Sequence, residues 1–214
     1  MTTWDLFTGC AFNCYNGRCW AKLQVEGRLK HLARYKDGFV PTVHPDRFKP
    51  HFKPGEFVFV VSKGDISFAP REVCDAVNAA IHGFPETKFL VQSKEPRTFT
   101  RIEPHSNVYF GTTLETNRNY GLSQAGEPWW RYQRMLIDTR GHRFISIEPI
   151  IDFDMDIFLG WLQEIKPEIV QVGADNYHAG LPEPSWDKVQ QLLAGLRKFV
   201  PLVVEKEGLG RLRR

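Results

Sequence analysis

EFVFVVSKGD, residues 56–65, opens in a run of β-branched and aromatic residues and ends in Ser62, Lys63 and Asp65. The apolar run is too short for an ordinary helix, and its unbroken hydrophobicity is that of a strand covered on both faces. The pattern returns as TKFLVQSKE at 87–95, NVYFGTTLE at 107–115, HRFISIEP at 142–149, EIVQVGAD at 168–175 and PLVVEKEG at 201–208. Between the runs stand APREVCDAVNAAIHGF, SQAGEPWWRYQRMLIDTR, DFDMDIFLGWLQEIKP and PSWDKVQQLLAGLRKF, each with apolar residues three and four apart. In the last, Trp186, Val189, Leu192, Leu193 and Leu196 form one stripe, as in a helix that buries one face. The connection RTFTRIEPHS, directly behind Pro96, leaves room only for a short helix.

Strands alternating with helices imply an α/β fold with a parallel sheet covered by helices. A further strand at Thr3–Thr8 brings the number of runs to seven, which favours a partial or complete (β/α) barrel over an open doubly wound sheet. The expected organisation is one barrel-like domain over 1–214, with a cysteine loop at 9–22, an irregular excursion at 34–55 and a basic C-terminal tail at 209–214. In the excursion Pro41, Pro45, Pro50 and Pro54 restrict helix formation, and the tail RLRR reads as a loose basic end.

Composition excludes several classes. Hydrophobic residues make up 42% and charged residues 25% of the 214, globular values that argue against disorder. No apolar run reaches the roughly 18 residues of a membrane span, and no basic segment precedes an apolar one at the N-terminus. The expectation is therefore a cytoplasmic protein without a membrane partner. Four cysteines are too few for a disulfide scaffold, and in a reducing compartment clustered thiols are more often metal ligands or redox groups. The net charge of +3 permits anionic partners without selecting one.

Ligand sites in parallel β/α folds lie beyond the carboxyl ends of the strands. That rule selects Ser62, Lys63 and Asp65; Gln92, Ser93 and Lys94; Thr112, Thr113 and Glu115; Glu148; Asp175 and Asn176; and Lys206 between Glu205 and Glu207. Any one of them also reads as a turn former or helix cap, Asp65 in particular. Glu148 stands out because a carboxylate inside ISIEPII is costly to bury unpaired. Phosphate-loop, dinucleotide, HExxH and GxSxG signatures are all absent from the sequence.

The cysteines lie in GCAFNCYNGRCWAK, residues 9–22, where Asn13, Asn16 and Gly17 give turn character between Cys10, Cys14 and Cys19. A closed zinc site would need a fourth donor, such as the distant Cys74, a histidine or an aspartate. Cys74, on a helical pattern, reads as a small buried residue. An iron–sulfur cubane instead uses three cysteines on three irons and leaves one iron open.

This loop, set after the first strand of a barrel, resembles the radical S-adenosylmethionine superfamily, although its second gap of four residues exceeds that superfamily's two. The ordered series WDLFTGC, NCYNGRCWAK, HPDRF, FVFVVSKGD, FLVQSKEPRTF, VYFGTTLET, FISIEPI, VQVGAD and VVEKEG resembles more closely the phage Gp37/Gp68-like group, also called the three-Cys-motif or DUF5131 family. The resemblance implies that Cys10, Cys14 and Cys19 hold a [4Fe-4S] cluster. Its open iron would bind S-adenosyl-L-methionine, whose reductive cleavage, fed by an external electron donor, gives a 5'-deoxyadenosyl radical for hydrogen abstraction. It also implies a cofactor face containing Ser62, Asp65, Ser93, Lys94, Thr113, Glu115 and Glu148, with Tyr15 and Trp20 shielding the cluster or stacking on adenine. Glu115, Glu148 and Lys206 are the candidate catalytic groups. The substrate is expected to be nucleic acid or protein, and a partner protein could complete the cavity.

Two other readings compete. Basic and aromatic residues between Arg28 and Lys53, with the basic tail, suit a zinc-stabilised nucleic-acid-binding module. Glu115, Glu148 and Lys206 would suit a metal-independent hydrolase or isomerase.

Overall fold

In the computed structural model, which describes residues 1–213, each of the six apolar runs forms a strand. The chain begins with β1 (Thr2–Trp4) and β2 (Phe7–Thr8), runs through the cysteine loop into α1 (Trp20–Glu26), and crosses the excursion, which holds β3 (Thr42–Val43). Alternation then follows: β4 (Phe57–Val60), α2 (Arg71–Gly83), β5 (Lys88–Gln92), β6 (Val108–Thr113), α3 (Pro128–Ile137), β7 (His142–Ile147), α4 (Met155–Ile165), β8 (Ile169–Val172), α5 (Trp186–Leu196) and β9 (Leu202–Glu205). The connection from β5 to β6 carries only a 3-10 helix at Pro96–Arg101, as its prolines require.

Seven strands form one sheet in the order β1-β4-β5-β6-β7-β8-β9, every neighbouring pair parallel. β1 and β9 are its two edges, so the barrel is partial. Alternation along each strand separates its faces. Val58, Val60, Phe89, Val91, Val108, Phe110, Ile145, Ile147, Val170 and Val172 join the main core with buried residues of α2, α3, α4 and α5. Leu90, Tyr109, Phe144 and Ile169, with Phe57 and Phe59, make a second cluster on the concave face. Following that face toward the carboxyl ends, register places Gln92 beside Gly111, then Thr113 beside Ser146 and Ser146 beside Gln171. The lining thus changes from apolar to polar over one or two residues per strand, at the end where a ligand site is expected.

Two expectations are corrected. The anticipated strand at Thr3–Thr8 is split, because buried Asp5 accepts bonds from Lys63 N (3.0 Å) and Ser62 Oγ (3.2 Å) and turns the chain out of the sheet. β2 pairs instead with β3, antiparallel, and ties the excursion to the barrel. The basic end is also not loose: Leu209–Arg213 form a 3-10 helix with Leu209 buried and Arg211 bound to Glu183 Oε1 at 2.5 Å. Arg214 lies outside the described residues. No helix among the described residues is long and apolar enough to cross a membrane.

Candidate functional site

The cysteine loop is fastened to the carboxyl end of β4. Gly9 N donates to Lys63 O at 3.0 Å and Asp65 N donates to Gly9 O. Gly9 sits at φ +97°, and a Cβ there would meet the carbonyl carbon of Val40 at 2.2 Å, so the excursion presses on the loop where only glycine fits. Beyond it Asn13, Tyr15, Asn16 and Gly17 all take left-handed backbone conformations, which coil the segment between the thiols. The coil is pinned from the β6–α3 connection: Tyr15 N donates to Leu122 O (2.6 Å), Gln124 N to Phe12 O (2.8 Å), and Cys14 Sγ meets Ser123 Oγ at 3.2 Å.

All three loop cysteines are free thiols; Cys10 lies close enough to feel the charge of Cys14 and Cys19, and Cys19 that of Cys14. Burial pushes the Cys10 thiol well up, and Asp65 adds to the rise; burial likewise raises Cys19. Ligation would have to deprotonate them, so metal loading should release protons. No three His, Cys, Asp or Glu side chains converge on one point among the described residues. Cys74, the fourth donor that a zinc site could have recruited, is buried in α2 with Arg101 and Asp75 as its charged neighbours. Three cysteines on one loop are the number of protein donors that an open cubane uses, each on a different iron, and Asp65 is the carboxylate nearest to them in charge.

Behind the loop stands a four-residue network. Glu115, only 3% exposed, accepts from Tyr15 OH at 2.5 Å, from Lys94 Nζ, and from Arg131 Nη1 at 2.7 Å. Burial would raise its carboxyl, but Arg131 and Lys94 override that and hold it down at about 2. Lys94 Nζ also reaches Tyr15 OH (2.8 Å) and lies 4.6 Å from the centre of its ring. Burial and the Glu115 charge together keep the Tyr15 phenol protonated. Tyr15, Glu115 and Arg131 line one wall of a cleft completed by Arg118, Tyr120, Leu122 and Ile151.

The other selected residues fall into smaller groups around the same rim. Asp65 caps the 3-10 turn at Ile66–Phe68 through Ser67 N and also accepts from Ser93 Oγ (2.6 Å) and Lys94 N (2.9 Å), lacing the end of β4 to that of β5. Ser62 bridges Asp5 and Lys63 Nζ, held there by Val61, a buried β-branched residue at φ +56°. Such a backbone state costs of order 1–3 kcal/mol and persists where surroundings fix it. Lys63 Nζ lies 4.8 Å from the ring centre of Trp20, which stays 37% exposed. Thr113 Oγ1 accepts from Gln92 Nε2 at 3.0 Å. Glu148 and Lys206 pair at 3.6 Å on the far side; burial raises the Glu148 carboxyl and Lys206 opposes it. Glu148 lies over Gly173, whose added Cβ would come within 2.8 Å of it.

Sequence reasoning missed Asp5, Arg131 and the Arg118–Asp152–Asp154–Lys188 ion network of the rim. Arg131 looks like any basic residue of a surface helix; the clue would have been that a carboxylate directly after the apolar run of β6 requires a buried cation.

No protein-family model matches the chain, and no curated protein matches it. Solved structures do. A variant of spore photoproduct lyase with dinucleoside spore photoproduct superposes with a TM-score of 0.65 at 9% identity, over 95% of this chain and 76% of that one. Another variant of that lyase, with AdoMet and the dinucleoside bound, gives 0.58 at 9% identity over 94% and 75%. SuiB of Streptococcus suis, bound to its precursor peptide SuiA, gives 0.56 at 11% identity over 99% of this chain and 50% of that one. The class that the architecture defines is therefore a partial (β/α) barrel of the kind found in these enzymes. At these identities the likeness is one of fold.

Proposed function

We propose that this chain is a radical SAM-type iron–sulfur enzyme with Cys10, Cys14 and Cys19 as its cluster ligands. The observation that carries the reading is the position of the three-thiol loop, fastened at Gly9 to the carboxyl end of β4 in a partial barrel of that class. Within that class, its ordered motifs support a kinship with the phage Gp37/Gp68-like group. The assigned setting is cytoplasmic, with an external electron donor and a nucleic-acid or protein substrate.

When bound, the cluster and S-adenosyl-L-methionine supply one-electron cleavage of a sulfur–carbon bond and a carbon radical that abstracts hydrogen from substrate. The chain's part is binding and orientation. Ser62, Asp65, Ser93, Lys94, Thr113, Glu115 and Glu148 border the face where the cofactor would lie. Glu115 stays ionised at any physiological pH and holds Lys94 and Tyr15 in place, so it is a positioning carboxylate and not a proton donor. The raised carboxyl of Glu148, next to Lys206, is the better candidate for contact with a polar ligand group. Trp20 follows Cys19 at the start of α1, with its ring against Lys63 Nζ.

Anaerobic reconstitution should load about four iron and four sulfide per chain, and dithionite should then drive release of methionine and 5'-deoxyadenosine from S-adenosyl-L-methionine. A stoichiometric zinc site, or a loaded cluster that never cleaves the cofactor, overturns the proposal.

A further inference from the structure

The excursion carries a charge that the site does not use. Between Arg28 and Lys53 there are seven Lys and Arg against two Asp and Glu, an excess larger than the +3 of the whole chain. Arg28, Lys30, Arg34, Lys36, Lys49 and Lys53 are exposed, and none of them enters an ion pair among the described residues. The ion pairs lie elsewhere, on helices, strand ends and the rim. Unpaired cations concentrated on one segment raise the local potential and attract a polyanion.

This surface is rigidly joined to the cysteine loop. The segment leaves α1, which begins directly after Cys19, and returns to pair β3 with β2, the strand that leads into Gly9. His44 secures the join, its N donating to Leu6 O at 2.9 Å and its ring meeting Thr8 Oγ1 at 2.8 Å. Arg28 is near enough to Lys63 to influence its ammonium group, so the basic face continues to the mouth, where the exposed Trp20 ring stands.

Charge alone would suit an acidic peptide equally. A peptide, however, is normally held by a groove or by addition to a sheet edge. Apart from the two residues of β3 the excursion is turns and single-turn 3-10 helices, and both described cavities lie elsewhere, behind Tyr15 and beside Phe99. Phosphate binding needs only distributed cations, and an exposed indole beside them offers a platform for a base.

We infer that Arg28, Lys30, Arg34 and Lys36, with the exposed Trp20 beside them, form a nucleic-acid-binding face that holds the phosphate backbone and brings a nucleotide to the cysteine loop. The delivery step rests on the radical SAM reading; the binding does not. The test is fluorescence anisotropy of the full chain with labelled single-stranded and duplex DNA oligonucleotides over a salt series. On duplex, the logarithm of the affinity should fall with log salt by about 0.9 for each phosphate neutralised. The double substitution Arg34→Gln with Lys36→Gln should weaken binding about tenfold and lower the slope by about one for each phosphate no longer neutralised. Lys166→Gln with Lys198→Gln, at the opposite end of the barrel, should change neither, and circular dichroism melts should match throughout. Absence of binding at low salt, equal binding by the Arg34/Lys36 variant, or tighter binding of polyglutamate than of DNA overturns the inference. Because anisotropy needs no cluster, a failure to bind DNA with intact cofactor cleavage strikes this inference alone, and DNA binding without cleavage strikes the radical reading alone.

Discussion

Replacing Glu115 by glutamine should unbalance Tyr15, Lys94 and Arg131 at once. Arg131 and Glu115 are each 4% exposed at the side chain, and breaking a buried pair from one side costs about 3–5 kcal/mol. A denaturant midpoint for Glu115→Gln should fall accordingly. The pH dependence has a definite sign. The carboxyl drops from 4.5 to about 2 on folding, so its contribution is complete above 4.5 and is lost as pH falls toward 2. The stability gap between wild type and Glu115→Gln should therefore narrow over that window; a gap that stays constant there would remove Glu115 as its source. Gly9→Ala makes a different prediction, because the side chain meets Val40 backbone at 2.2 Å and the φ of +97° is itself unfavourable. It should lower stability by more than about 1 kcal/mol and depress iron loading, both read on the same preparation by thermal melts and iron analysis.

At the level of elements, the strands were legible because parallel strands covered on both faces leave continuous apolar runs, and EFVFVV needs no context to be read. The split of the first strand was not legible: Asp5 finds its partners, Ser62 and Lys63, more than fifty residues downstream. The cysteines announced themselves by residue type, whereas the left-handed turn at Tyr15 has no signal, since tyrosine does not favour it. The polar strand ends were recovered as a set, but which of them meet depends on register and on α3, which supplies Arg131. Helix α5 is the element whose sequence stripe and packing agree most closely. Leu192, fully buried in the core, should cost about 2–5 kcal/mol as alanine. Gly173→Ala should cost about 1–3 kcal/mol by overpacking against Glu148, and it should weaken S-adenosyl-L-methionine binding by isothermal titration more than Leu192→Ala does.

For the whole molecule, the sheet is a row and not a ring. From β4 to β9 each strand pairs with the one formed just before it, whereas β1 reaches across the entire excursion to set Thr2 beside Val58. Closing so long a loop is slow compared with zipping neighbours together. In pulse-labelling hydrogen exchange, amides of β5 to β8 should gain protection before those of β1; simultaneous protection would contradict this order. The order also bears on maturation. Because β1 and then β2 lead into the cysteine loop, its thiols should join the molecule after β5 to β8, and an assembly factor would meet them on a strap still free to move against a scaffold already built.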